Sequence, residues 1–173
     1  DPVIVSSGSV VHLIWRENTQ YSTQVQYIRS TDNGLSWGNM IVFSEGGQPT
    51  ISVNGSLVIA AWGKSQNNNT NIFYNRSTNN GFSWEQNIRL TVDTSRAGNP
   101  CSFISGDTVH VVWSDYRSSN SEIYYIQSTN SGVSWRNEIR LTNNLSESTR
   151  PDLEVLNGRV HVFWRDSPTP TAM

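Results

Sequence analysis

The octapeptide Ser30-Thr31-Asp32-Asn33-Gly34-Leu35-Ser36-Trp37 recurs as Ser77-Thr78-Asn79-Asn80-Gly81-Phe82-Ser83-Trp84 and again as Ser128-Thr129-Asn130-Ser131-Gly132-Val133-Ser134-Trp135. The shared frame is Ser-x-(Asp/Asn)-x-Gly-x-x-Trp, and its closing tryptophans lie 47 and 51 residues apart. A period of this length restricts the chain to stacked units of a solenoid, propeller or array, because each unit buries its apolar faces only against its neighbours.

Other features keep the same register. Trp15, Trp62, Trp113 and Trp164 repeat at equivalent positions, as do Pro2, Pro49, Pro100 and Pro151. Between each Pro and its Trp lies a turn, at Ser7-Gly8, Asn54-Gly55, Ser105-Gly106 and Asn157-Gly158, flanked by alternating β-branched and apolar residues. This predicts a hairpin of two strands, A and B. A polar loop follows, then strand C in 24–29, 71–76 and 122–127, the octapeptide turn, and strand D in 40–43, 88–91 and 139–142. No helical period interrupts them. The predicted fold is all-β: a β-propeller of four-stranded antiparallel blades, about three and a half in this chain. Its units are 1–46, 47–97, 98–148 and a half-blade 149–166, with a tail at 167–173 that begins Ser167-Pro168-Thr169-Pro170.

Length differences fall only in the D-to-A connections. Alternate connections of an antiparallel meander share an end, so the D-to-A and B-to-C loops are expected on one face and the octapeptides on the other. An arc of three and a half blades is expected to leave apolar faces without partners, so self-association to complete a propeller is predicted.

Composition excludes some functions. With 15% charged residues and a net charge of −2, the chain carries no basic footprint for nucleic acid. No apolar run is long enough for a membrane-spanning helix, and no signal-like segment opens the sequence. The single cysteine, Cys101, has no partner for an internal disulfide and reads as a small buried thiol.

The octapeptide resembles the Asp-box, or bacterial neuraminidase repeat, of the sialidase superfamily. The fuller register, with Val109-His110-Val111-Val112-Trp113, Glu122-Ile123-Tyr124-Tyr125 and Ile139-Arg140-Leu141-Thr142, resembles secreted bacterial and archaeal sialidase-like propellers. The resemblance implies an extracellular or cell-surface protein. In the boxes, the residues Ser30, Asp32, Gly34 and Trp37, Ser77, Asn79, Gly81 and Trp84, and Ser128, Asn130, Gly132 and Trp135 are read as structural. An Asp or Asn oxygen accepts backbone N–H groups at a tight turn, Gly supplies positive φ and Trp folds beneath. Only Asp32 keeps the acid, and a catalytic carboxylate would not tolerate exchange for Asn.

The resemblance implies, for true sialidases, an arginine triad, a Tyr/Glu nucleophile pair, an Asp acid/base and an Arg-Ile-Pro motif. That motif does not occur here. The candidate ligand-binding residues instead lie on the loop face: Asp115, Tyr116 and Arg117 after Trp113, with Arg165 and Asp166 after Trp164, Arg16 after Trp15, Arg96 in a long D-to-A loop, and Arg150 before Pro151. They read either as a polar ring for a glycan or small polar ligand, or as turn caps and local ion pairs repeated with the blades. His12, His110 and His161 occupy equivalent positions in different blades and are read as core-edge residues rather than metal ligands. No metal, cofactor or catalytic residue is assigned. The reading is a noncatalytic sialidase-like propeller segment that binds a glycan or other polar ligand. The alternatives are an exo-sialidase or related glycoside hydrolase with a partial site, and a protein-interaction scaffold.

Overall fold

A computed structural model describes residues 2–66, 69–91, 96–118 and 120–167; the prolines at 168 and 170 lie outside them. The first sheet is β1 (Val3–Ser7), β2 (Val10–Asn18), β3 (Thr23–Ser30) and β4 (Ile41–Glu45). The second is β5 (Gly47–Asn54), β6 (Leu57–Gln66), β7 (Asn69–Ser77) and β8 (Ile88–Arg89). The third is β9 (Ala97–Ser105), β10 (Thr108–Asp115), β11 (Glu122–Ser128) and β12 (Ile139–Arg140). A two-stranded sheet of β13 (Ser148–Leu156) and β14 (Arg159–Asp166) follows. Strands are in chain order within each sheet and all pairings are antiparallel.

The period-2 pattern places these sheets as stacked blades. On β6, Val58, Ala60 and Trp62 join Ile14, Val25 and Tyr27 of the first blade, whereas Leu57, Ile59 and Ala61 join Val109, Val111 and Trp113 of the third. Both faces of the strand are therefore buried, which is why it reads as an unbroken apolar run rather than an alternation. The leading strands β1, β5, β9 and β13 pack side to side, with the Ser52 and Ser102 hydroxyls 3.0 Å apart across one seam. This is the radial arrangement of propeller blades.

Strand A starts earlier than its proline predicts. β5, β9 and β13 run through Pro49, Pro100 and Pro151, and each breaks register there. Gln48, Asn99 and Arg150 take φ of 53°, 50° and 50°. The bulge resolves the conflict between a proline without an N–H and a continuous ladder. Strand D is held by its Arg and Thr: Arg140 Nη2 donates to Glu122 Oε1 at 2.8 Å, Thr142 Oγ1 donates to Glu122 Oε2 at 2.5 Å, and Thr142 Oγ1 accepts from Ile123 N. Arg89, Thr91 and Asn71 repeat the arrangement one blade earlier.

The boxes close the opposite face. In each, the Ser hydroxyl donates to the Asp or Asn oxygen and accepts from the Gly N–H, as in Ser77 Oγ to Asn79 Oδ1 at 2.9 Å and Gly81 N to Ser77 Oγ at 2.9 Å. The second Ser explains why Asp and Asn exchange. Ser36 Oγ donates to Asp32 Oδ2 at 2.5 Å, whereas Ser83 and Ser134 accept from the amide Nδ2 of Asn79 and Asn130 at 2.8 and 2.9 Å. A hydroxyl serves either way. Hydrogen bonds from Ser30 and Ser36 hold the Asp32 carboxyl down to about 2.

The box indole does more than sit beneath its own turn. Trp84 packs edge-on against Tyr27 and Phe43 of the preceding blade, and Trp135 against Tyr74. Arg29 Nη1 donates to Asn80 O at 3.1 Å and Arg76 Nη1 to Ser131 O at 3.2 Å. The second and third boxes thus each fasten their blade to the one before it.

Beneath these seams, His12 and His110 are buried and bond the Tyr27 and Tyr125 hydroxyls at 2.8 and 2.7 Å, while His161 is exposed. Burial, helped by the Arg29 charge, lowers the His12 pKa to about 4, and burial lowers that of His110. Among the described residues His12 Nε2 has no partner, so protonation would bury an unpaired N–H as well as a charge. A depressed folded-state pKa means the contribution is intact above pH 6.5 and is lost as pH falls toward 4. We expect a loss of roughly 2–4 kcal/mol over that window from His12. Urea unfolding at a series of pH values checks this, and a His12→Gln variant should flatten the curve.

Candidate functional site

B-to-C turns and D-to-A connections of three blades converge on the face away from the boxes, around a cleft of about 570 Å³. Arg16 and Tyr21 come from the first blade, Ser65 and Thr70 from the second, Ser114 and Tyr116 from the third; Glu45 to Gln48 and Arg96 to Asn99 connect them. The backbone shapes its floor. Gly47 leaves room for the stem of Arg16, whose Cδ would lie 3.0 Å from a β-carbon there. Asn99 N donates to Gln48 Oε1 at 3.0 Å, tying adjacent bulges together.

Three of the sequence candidates meet here: Arg16, Arg96 and Tyr116. The Arg96 guanidinium lies over the Tyr116 ring at 5.9 Å, and Tyr116 N donates to Arg96 O at 3.2 Å. Cation–π contact and backbone bond together fix both side chains at the rim.

Asp115 and Arg117 do not join them. Asp115 is fully buried, accepting from the Trp113 indole at 3.0 Å, from Arg117 N at 3.0 Å and from Arg117 Nη2 at 2.6 Å. Arg117 also pairs with Glu138 and covers the Tyr124 ring at 4.2 Å. Burial draws the Arg117 pKa down, but Asp115 and Glu138 reverse this and leave it raised. The recurrent acid two residues after the strand-B Trp is therefore an indole acceptor. Glu17 takes the Trp15 N–H at 3.3 Å and Asp166 the Trp164 N–H at 3.0 Å, while Trp62, followed by Lys64, uses Ser44 at 3.0 Å. Asp166 additionally accepts from Ser148 Oγ at 2.7 Å.

Arg150, Arg165 and Asp166 lie on the β13–β14 hairpin and do not line the cleft. Arg150 sits on the bulge with a φ of 50° and contributes its N–H to Ser114 Oγ at 3.1 Å. Of the two readings of these residues, Asp115 and Arg117 fit the turn cap with a local ion pair, while the cleft itself carries Arg16 and Arg96. Sequence reasoning missed Tyr21, Glu45, Gln48 and Asn99. The available signal was the Gly-x-Pro at Gly47-Gln48-Pro49 and Gly98-Asn99-Pro100, which marks close backbone approach beside a bulge. Cys101 lies on the inner strand β9, donating to Asp152 Oδ1 at 3.1 Å; burial and that bond push its thiol up to about 12, which makes it a poor nucleophile.

No protein-family model and no curated protein matches the sequence. Solved structures do. A Hadza microbial sialidase superposes with a TM-score of 0.70 at 20% identity, over 95% of this chain and 41% of its own. The Trypanosoma rangeli sialidase does so with 0.70 at 13%, over 95% of this chain and 34% of its own. This is the sialidase-type β-propeller fold. An α-L-arabinofuranosidase from Fusarium graminearum shares the propeller with a TM-score of 0.68 at 14% identity, over 99% of this chain and 57% of its own. The chain thus spans less than half the length of these sialidases, and at such identities the likeness speaks for the propeller fold alone.

Proposed function

We propose that this propeller segment is noncatalytic and binds a carbohydrate in the loop-face cleft, at the cell surface or outside the cell. The observation that carries the reading is the cleft itself: a polar, open site where Arg16, Arg96 and Tyr116 converge from separate blades. Charged donors beside an aromatic face suit a ring that carries hydroxyls on its edge and C–H bonds on its faces. The solved propellers of similar fold are named as sialidases, an α-L-arabinofuranosidase and an α-L-arabinanase, and the last, from Penicillium chrysogenum, holds arabinobiose. Among the described residues lining this cleft Glu45 is the one acid, and Asp115 is held by Trp113 and Arg117.

A glycan array tests the reading. We expect signal from the wild-type chain and a loss of at least about tenfold in affinity for Arg16→Ala combined with Arg96→Ala. No signal across the array counts against it.

The same reading includes completion of the propeller by further blades. Trp62 and Trp113 are fully buried between blades, whereas the equivalent Trp164 is 44% exposed beside exposed Phe163, and Trp37 is 40% exposed at the other end. Apolar faces of this kind associate. Light scattering of the isolated chain is expected to report oligomers, and a monodisperse 19.4 kDa species would contradict this.

A further inference from the structure

We propose that the cleft takes an oligosaccharide chain of several sugar units, laid between Tyr21 and Tyr116, rather than one terminal sugar; this rests on the carbohydrate reading above. Tyr21 is 90% exposed, yet it is not on a loose loop. It stands on a tight turn in which Thr19 N and Thr19 Oγ1 both donate to Ser22 O at 2.8 Å, and Ser22 N donates back to Thr19 Oγ1 at 3.0 Å. Thr23 Oγ1 closes the turn base on Asn18 Oδ1 at 3.2 Å. A large aromatic ring kept in water on a pre-ordered turn loses little freedom when a ligand covers it.

Tyr116 is the second platform, 42% exposed and backed by the Arg96 guanidinium. The two rings belong to the first and third blades. The second blade lies between them, so a ligand that touches both rings spans its width and needs more than one sugar unit. The polar side chains of Ser65 and Thr70 on the intervening blade share an Oγ–Oγ1 hydrogen bond of 3.1 Å and offer hydroxyls along that span. The negative face of each Tyr ring meets the electropositive C–H face of a sugar, and the chain between them lies over donors and acceptors.

Size-graded arabinan, xylan and chitin oligosaccharides, from monosaccharide to hexasaccharide, test this by calorimetry on the wild type, Tyr21→Ala and Tyr21→Phe. Tyr21 is almost wholly solvent-exposed, so neither variant threatens folding. We expect affinity to rise with chain length, Tyr21→Ala to weaken the longest bound ligand about tenfold while sparing the shortest, and Tyr21→Phe to restore it. A monosaccharide bound as tightly as the hexasaccharide, or indifference to Tyr21→Ala, overturns the proposal and leaves carbohydrate binding standing. Absence of binding at every length overturns both.

Discussion

Gly81→Ala is expected to lower the unfolding free energy by about 3–4 kcal/mol, whereas Gly55→Ala should cost about 1–2 kcal/mol. Both glycines have positive φ, 69° and 57°. They differ in what a methyl group would meet. Around Gly55 nothing lies within 4 Å, so only the backbone conformation is penalised. A β-carbon on Gly81 would overlap the Tyr27 hydroxyl and press on the His12 ring, in the seam where Trp84 and Arg29 also join the first two blades. Denaturant midpoints of the two variants measure the difference. Equal losses would mean that the box glycine serves its turn alone and that the octapeptide does not fasten blades.

Removing Asp115 is expected to be as damaging as removing the box glycine. Asp115→Ala removes the acceptor of the Trp113 indole and of the Arg117 N–H in the interior and one of the two carboxylates that hold the Arg117 guanidinium, leaving it Glu138, at a cost of about 3–5 kcal/mol. Asp115→Asn keeps an acceptor oxygen and should cost less. Because the carboxylate is fully buried, Asp115→Asn should leave glycan affinity unchanged. Calorimetric binding of the Asn variant, beside urea unfolding of both, separates the two roles. A sharp loss of binding with stability intact would return Asp115 to the ligand site.

Much of the fold was legible because the repeat is written in residues with local causes. The boxes, the A-to-B turns and the strand-B tryptophans each carry their own geometric requirement, so their spacing translates directly into blades. The site was less legible. The Trp-x-acid pattern left a polar ring and a turn cap with a local ion pair both open, because sequence shows that a carboxylate recurs but not that an indole N–H two residues earlier has already taken it. Arg150 was misplaced for a related reason: a residue before proline reads as extended, and only the three-dimensional ladder shows it folded into a left-handed bulge. Tyr21 gave no signal at all, since a lone aromatic in a polar loop is unremarkable until the turn that holds it and the cleft beside it are seen together.

The division of labour between faces is the central claim: boxes fasten the blades, and the loop face recognises the ligand. Hydrogen–deuterium exchange with and without a saturating bound glycan tests it most directly. Protection is expected in 16–23, 45–48, 96–99 and 114–116, with 32–36, 79–83 and 130–134 unchanged. Ligand-induced protection confined to the three box turns would contradict it.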